Sequence, residues 1–204
     1  MKLNNKRTIL IGFAFLSICA FWQLYDTVIP LILRDTFLMG DARAGQIMAL
    51  DNVLALFMLP LFGTLSDKTH TRIGRRMPYI LAGTAAAAVL IVLLPLANRA
   101  ASLPMFFASL GLLLLAMGTY RAPAVALMPD LTPKPLRSKA NAVINLMGAL
   151  GTVLALGMIA VMAPAGAHPD YLPVFLCMGA VMAFCVLVLF LTVRSESTRL
   201  NSSH

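Results

Sequence analysis

Six apolar stretches, each long enough to cross a lipid bilayer, decide what this chain of 204 residues can fold into. The hydrocarbon core of a bilayer is about 30 Å thick, so a helix needs roughly 20 residues to span it. We therefore predict an all-α membrane protein in which residues 1–193 form one six-helix transmembrane domain, followed by a tail at 194–204. The predicted spans cover residues 8–33, 43–65, 78–97, 104–129, 138–163 and 172–193.

Composition does not fit the other classes of protein. Hydrophobic residues make up 60% of the chain and charged residues 12%, about half of what a soluble domain carries. A soluble enzyme, a disordered chain and a disulfide-rich secreted domain are therefore set aside. The three cysteines lie in apolar runs and the three histidines are dispersed, so we expect no metal site and no cofactor.

Lysine and arginine are divided unequally between the two ends of the predicted helices. Twelve of them flank the spans on the side of the N-terminus, and three (Arg34, Arg43 and Arg99) flank them on the other side. Cytoplasmic loops of membrane proteins carry the excess of positive charge. We therefore predict a multi-pass protein of the cell membrane with both termini cytoplasmic. This distribution accounts for the net charge of +8 without a nucleic-acid partner.

Polar side chains lie inside four of the spans, whereas the third and sixth carry no charged residue. Polar groups are costly in hydrocarbon, so we expect those in the four spans to face a shared interior or water. The third span, with its small residues from Gly83 to Ala88, and the sixth can face lipid. Their matching roles predict two inverted three-helix repeats. The candidate residues for binding substrate or coupling protons are Gln23, Asp26, Asp51, Asn52, Tyr120, Arg121, Asn141 and Asn145.

Helix geometry places two of these charges at different depths. At about 1.5 Å per residue, Asp51 lies roughly 12 Å and Arg121 about 26 Å from the outer ends of their spans. A salt bridge between them would have to cover a depth difference of about 14 Å, so we do not predict one.

Local signals mark helix starts and close contacts. Pro78 and Pro104 fit the first turns of the third and fourth helices, and Ser138 fits as the N-cap of the fifth. The small residues Gly148 and Gly151 have the spacing that allows two helices to approach closely.

The loop between the second and third spans carries an ordered pattern, G-x-L-x-D followed by R-x-G-R-R-x-P-Y, over residues 63–79. This pattern resembles the loop signature of the major facilitator superfamily, and its spacing resembles the sucrose-transporter and glycoside–pentoside–hexuronide branches. Residues 121–131 and 137–141 resemble the corresponding fourth helix, loop and fifth-helix start of the sucrose type. We also expect Gly63 to permit close helix approach. The residues of the pattern are Gly63, Asp67, Arg72, Gly74, Arg75 and Arg76.

The resemblance implies a twelve-helix fold of which this chain is the N-terminal half. In such proteins the loop signature acts as a conformational latch between the two halves, and a fourth-helix arginine, here Arg121, serves substrate binding or proton coupling. Sodium-coupled relatives carry aspartates at the positions of Ala55 and Leu59. Their absence here favours protons over sodium.

The resulting hypothesis is a secondary transporter that takes up a sugar-like substrate with protons. Its partners are then the lipid bilayer and a C-terminal six-helix half, and the tail is expected to be truncated. An accessory or inert half is the alternative. A membrane-embedded enzyme is remote, because no histidine and no helically spaced carboxylate pair lies within the spans.

Overall fold

The computed structural model describes residues 5–71, 73–163 and 170–201. Each of the six predicted spans lies in one long helix, and all six helices are long and apolar enough to cross a membrane. A short 3-10 turn, Lys134–Leu136, precedes the fifth helix. The helices are α1 Asn5–Asp35, α2 Asp41–Lys68, α3 Met77–Arg99, α4 Leu103–Leu131, α5 Arg137–Met162 and α6 Leu172–Asn201.

The helix starts agree with the sequence in two cases and differ in one. Pro78 and Pro104 both lie in the first turn of their helices, as predicted. Ser138 is not the N-cap of α5, because the 3-10 turn leads directly into a helix that begins at Arg137. The helix α6 also continues past the predicted end of its span to Asn201, since backbone hydrogen bonding does not stop where the apolar residues stop.

The packing of the helices follows an internal symmetry. α1 packs against α5 and α6, α4 packs against α2 and α3, and α3 packs against α6. Exchanging α1 with α4, α2 with α5 and α3 with α6 reproduces the same set of pairs. The units α1–α3 and α4–α6 therefore pack against each other symmetrically, as expected for two inverted three-helix repeats.

Glycines allow α1 and α5 to lie unusually close together. A Cβ added to Gly151 would stand 2.1 Å from the carbonyl oxygen of Leu16, and one added to Gly148 would stand 2.9 Å from Cys19 Sγ. Gly151 faces backbone that cannot move aside, so that position requires glycine, whereas at Gly148 the neighbouring atom is the end of a side chain. The close packing predicted from the small residues of α5 is confirmed.

The small residues of α3 divide between two environments, since Ala85 and Ala86 are exposed whereas Gly83 and Ala87 are buried. Gly83 does not face lipid: an added Cβ would stand 2.8 Å from the backbone nitrogen of Tyr120, on α4. Ala87 is fully buried as well. Small side chains let helices pack closely wherever they lie, so their presence does not indicate a lipid-facing surface.

The most exposed helix is α2 rather than α3 or α6. Only 6% of the apolar centre of α2 is buried, against 44% in each of α3 and α6. α3 and α6 pack against each other and against the central helices α1 and α4. Large apolar side chains on α2 and α5 are left exposed: Leu50, Val53, Leu54, Leu56, Phe57, Leu59, Leu61 and Leu65 on α2, and Leu146, Leu150, Val153, Leu154, Leu156 and Val161 on α5.

Candidate functional site

The central helices and their neighbours enclose an open cavity of about 630 Å³. Four helices contribute to its wall, and they are the four in which the sequence places polar residues. The lining residues are Ile18, Cys19, Trp22, Gln23 and Asp26 of α1, Gly45, Met48, Ala49, Asp51 and Asn52 of α2, Arg121 of α4 and Thr152 of α5.

Three ionisable groups line this cavity, and they differ in their surroundings. Asp26 is exposed, whereas Asp51 is only 8% exposed. The Oδ1 atom of Asp51 is buried and has no hydrogen-bond partner among the described residues. Within those residues no ion pair links Asp51 to Arg121, as predicted, although both side chains line the same cavity. A buried carboxylate without a partner is costly, so this atom is poised to take up a proton or a ligand donor.

Arg121 lies against an aromatic ring instead of an acid. Its guanidinium carbon is 5.2 Å from the centroid of the Trp22 ring, which is within the range of a cation–π contact. Trp22, Asp51 and Arg121 also line a small apolar recess between α2 and α4. The sequence analysis did not single out Trp22, because an aromatic residue in an apolar run carries no polar signal. Its position four residues before Asp26, on the same helix face, is the only sequence sign.

Five of the eight candidate residues line the cavity, namely Gln23, Asp26, Asp51, Asn52 and Arg121. The Gln23 amide also donates a hydrogen bond of 3.0 Å to Thr27 Oγ1 within α1. The other three, Tyr120, Asn141 and Asn145, do not line the cavity.

Tyr120 is fully buried in the protein core, away from the cavity. Its hydroxyl lies 3.0 Å from the carbonyl oxygen of Ala14 and 2.5 Å from Ser17 Oγ, both on α1. Tyr120 therefore joins α4 to α1.

Asn141 and Asn145 are exposed on α5 and do not line the cavity. They lie one turn apart on the same face of the helix, near its beginning. Thr152, further along α5, lines the cavity instead.

A charge cluster lies at the end of the bundle where α2 and α4 finish and α3 begins. Arg76 is only 6% exposed, and its guanidinium donates to Asp67, Asp130 and Ser66 over 2.8, 2.5 and 3.2 Å. Arg75 adds a second ion pair of 3.0 Å to Asp130. The cluster thus fastens three helices together. Arg72 lies outside the described residues.

The glycines of the loop have different roles from one another. Gly74 has a φ of +97°, a conformation that L side chains rarely adopt, and the Thr71 hydroxyl donates to its carbonyl oxygen. Gly63 has open space where a Cβ would stand. The close helix approach predicted at Gly63 is therefore not made within the described part of the chain.

At the opposite end of the bundle, arginines pair with acids. Arg99 makes two hydrogen bonds to Asp170 and so links the end of α3 to the start of α6. These bonds hold the pKa of the Asp170 carboxyl below its usual value. Arg34 pairs with Asp35 at 2.8 Å.

Comparison with known proteins connects this architecture to a family. The model of the family described as the Major Facilitator Superfamily matches residues 11–204. The chain belongs to the major facilitator superfamily. It is therefore a multi-pass membrane protein of a transporter family and not an enzyme, and its six-helix bundle is consistent with half of the superfamily's fold.

The chain is also similar to the Sucrose transport protein SUC3 of Arabidopsis thaliana, with 27% identity over 167 residues. The alignment covers 69% of this chain and 27% of that protein. The chain thus spans about a quarter of the length of this superfamily relative.

The arginines of the superfamily loop signature are attached to this bundle by Asp130 of α4, which was not among the predicted functional residues. The family resemblance implies that these arginines contact a second six-helix half. In this structure, Arg75 and Arg76 both form ion pairs with Asp130 of the same chain. Asp130 lies within residues 121–131, whose resemblance to the sucrose type does not by itself indicate a partner for the arginines. Its position at the last turn of α4, close to the basic loop in an antiparallel bundle, was the available signal.

Proposed function

We propose that this chain is the N-terminal half of a secondary active transporter that takes up a sugar or glycoside together with protons. The observation that carries the proposal is the cavity of about 630 Å³ in which Asp26, Asp51 and Arg121 converge from three helices. Intramembrane charges are costly and mark substrate or ion pathways in membrane proteins. Alternating access would then expose this cavity to each side of the membrane in turn.

The donors and acceptors of the cavity favour a neutral polyol. Arg121 has N–H groups that no described acid occupies, and Asp51 has an oxygen that no described donor occupies. A sugar hydroxyl both donates and accepts hydrogen bonds, so one ligand satisfies both residues. Two aspartates against one arginine disfavour an anionic ligand. The similarity to a sucrose transport protein supports the same class of substrate.

The burial of the Asp51 carboxyl supports coupling to protons. Asp51 is nearly buried and unpaired, so protonation removes an unfavourable charge. Ala55 and Leu59 line the recess beside it with hydrocarbon. They stand where sodium-coupled relatives carry aspartates, which argues against a sodium site.

A second six-helix half completes the transporter in this proposal. The cavity is open, and α2 and α5 beside it expose large apolar side chains. A similar bundle packed on α2 and α5 would cover these side chains and place the substrate at the interface between repeats. In the latch role, Asp67 of the charge cluster, whose side chain is 52% exposed, would contact that half.

The proposal is tested by uptake with and without a second half. Residues 1–204 reconstituted alone in liposomes should insert and show no gradient-driven sucrose uptake. Co-expression with a matching C-terminal six-helix half should restore uptake that an inward proton gradient drives and a sodium gradient does not. Saturable uptake by the chain alone would point to a homodimer. No uptake in either case would favour the alternative, an accessory or inert half.

Arg121→Ala supplies the matched arm of this experiment. The variant should abolish the restored uptake and leave membrane insertion intact, because it removes a charge from the membrane interior. Arg34→Ala is the control, since Arg34 is exposed and pairs with its neighbour Asp35. Uptake at the wild-type level by Arg121→Ala would show that Arg121 has a structural role only.

A further inference from the structure

Trp22 has a position in the cavity that its amino-acid type alone does not explain. It lines the cavity and the neighbouring recess, so it stands in the wall between them. One face of its ring lies under the guanidinium of Arg121, at 5.2 Å from ring centroid to guanidinium carbon. Arg121, the cation that the proposed function assigns to the substrate, thus lies against an aromatic ring.

The orientation of the indole is fixed by packing. Phe21 meets it edge to face at a centroid distance of 5.4 Å, and Tyr25 does so at 5.2 Å. Both neighbours are buried. The Nε1 atom of Trp22 is buried and has no hydrogen-bond partner among the described residues. The ring is therefore held by contacts with aromatic rings and with Arg121, and a phenylalanine in its place would lose no hydrogen bond.

A rigid aromatic face beside hydrogen-bonding charges suits a particular ligand. A sugar ring presents C–H groups on its faces and hydroxyls at its edge, so an indole covers a face while Arg121 and Asp51 bind the edge. The guanidinium now occupies the indole face. A ligand that stacks there must displace the guanidinium, and its hydroxyls accept the hydrogen bonds that the guanidinium can then donate.

We propose that Trp22 is a specificity-determining residue of the cavity, whose indole holds Arg121 when the cavity is empty and stacks on a sugar ring when it is filled. This inference rests on the proposed function for the identity of the ligand. The first part of the inference, the Arg121–Trp22 contact, does not depend on transport. The contact and the stacking on a sugar are therefore tested by separate measurements.

The first measurement uses the fact that Trp22 is the only tryptophan of the chain. The chain in lipid nanodiscs is excited at the indole band, and its fluorescence is quenched with acrylamide. Arg121→Gln should raise the quenching constant about twofold, because the ring loses its cover on one face. Arg34→Ala should leave the constant unchanged. An equal constant in Arg121→Gln and wild type would overturn the contact.

The second measurement compares two replacements of Trp22 in the co-expressed, uptake-competent protein. Trp22→Leu should raise the KM for sucrose about tenfold, while Trp22→Phe, which keeps a flat ring, should stay within about threefold of wild type. The maximal uptake rate, divided by the amount of protein in the membrane as measured by immunoblot, should change less than the KM. Equal KM values for the two variants would overturn the stacking role.

The outcomes separate this inference from the proposed function. If wild-type protein takes up no sucrose and no other glycoside, the proposed function fails, and the quenching result still decides whether Trp22 holds Arg121. If wild-type uptake is present and Trp22→Leu matches it in KM, the proposed function stands and Trp22 is not a specificity residue.

Discussion

Two buried charges of this chain, on Arg76 and Asp51, have opposite surroundings. Arg76 is nearly buried and donates to Asp67, Asp130 and Ser66. Leaving a buried charge of this kind without any partner costs about 3–5 kcal/mol. Asp51 is equally buried but has an oxygen without a partner. In the proposed function, this oxygen is the group that takes up a proton or a ligand hydroxyl.

Asp51→Asn tests this distinction. Asparagine has the same shape and no charge, so the variant should be more stable than wild type while uptake falls more than a hundredfold. A gain of about 1 kcal/mol would raise the melting temperature by roughly 2–4 °C in a chain of this size. The melting temperature in detergent and proton-driven uptake are measured side by side. Asp41→Asn, at the exposed start of the same helix, serves as the control and should keep full uptake.

The charged residues of the cavity were predictable because charge in an apolar run is conspicuous. Asp26, Asp51 and Arg121 were found in this way. Trp22 and Thr152 were not, because they are compatible with a lipid-facing surface, and only the packing of α1 and α5 turns them toward the cavity. Tyr120 does not line the cavity, because its hydroxyl is hydrogen-bonded inside the core, which the sequence does not reveal.

At the scale of helices, close packing depends on a few positions without side chains. Gly151 and Gly148 let α5 approach α1, and Gly83 lets α3 approach α4. The positions and approximate ends of all six helices were predictable, because hydropathy and helix length are local properties. Which helix is most exposed was not, because that depends on pairing between helices. The exposure of α2 and the burial of Gly83 illustrate this.

Gly151→Ala should separate α1 from α5. Its Cβ would stand 2.1 Å from the carbonyl oxygen of Leu16, which is backbone and cannot rotate away. Overpacking of this kind costs about 1–3 kcal/mol or more, so the melting temperature should fall by several degrees, roughly 2–4 °C per kcal/mol. Gly157→Ala on the same helix is the matched control, because an added Cβ there meets nothing within 4 Å. Equal melting temperatures for the two variants would contradict the close approach of α1 and α5.

At the scale of the whole molecule, basic residues are divided unequally between the two ends of the bundle, whereas ion pairs occur at both. At the end with few basic residues, Arg34 and Arg99 are paired with Asp35 and Asp170. At the other end, where the chain carries twelve lysines and arginines, Arg75 and Arg76 are paired with Asp130. The number of lysines and arginines at each end, and not their pairing, predicts cytoplasmic termini.

The orientation is tested by labelling single cysteines in a background without Cys19, Cys177 and Cys185. A cysteine at position 168 should react with an impermeant maleimide added outside intact cells. A cysteine at position 70 should react only after the membrane is permeabilised. Labelling of position 70 from outside, without labelling of position 168, would reverse the predicted topology.

The pairing of α1 with α5 also sets an order for biosynthesis. The contact between Leu16 and Gly151 joins the first helix to the fifth. A ribosome adds about 5–20 residues per second, so the roughly 135 intervening residues take on the order of 10 s to be made. During that time α3 and α4 can pair, while α1 waits in the membrane with its contact surface uncovered. The cavity, whose wall includes α5, therefore does not exist until five of the six helices have been synthesised.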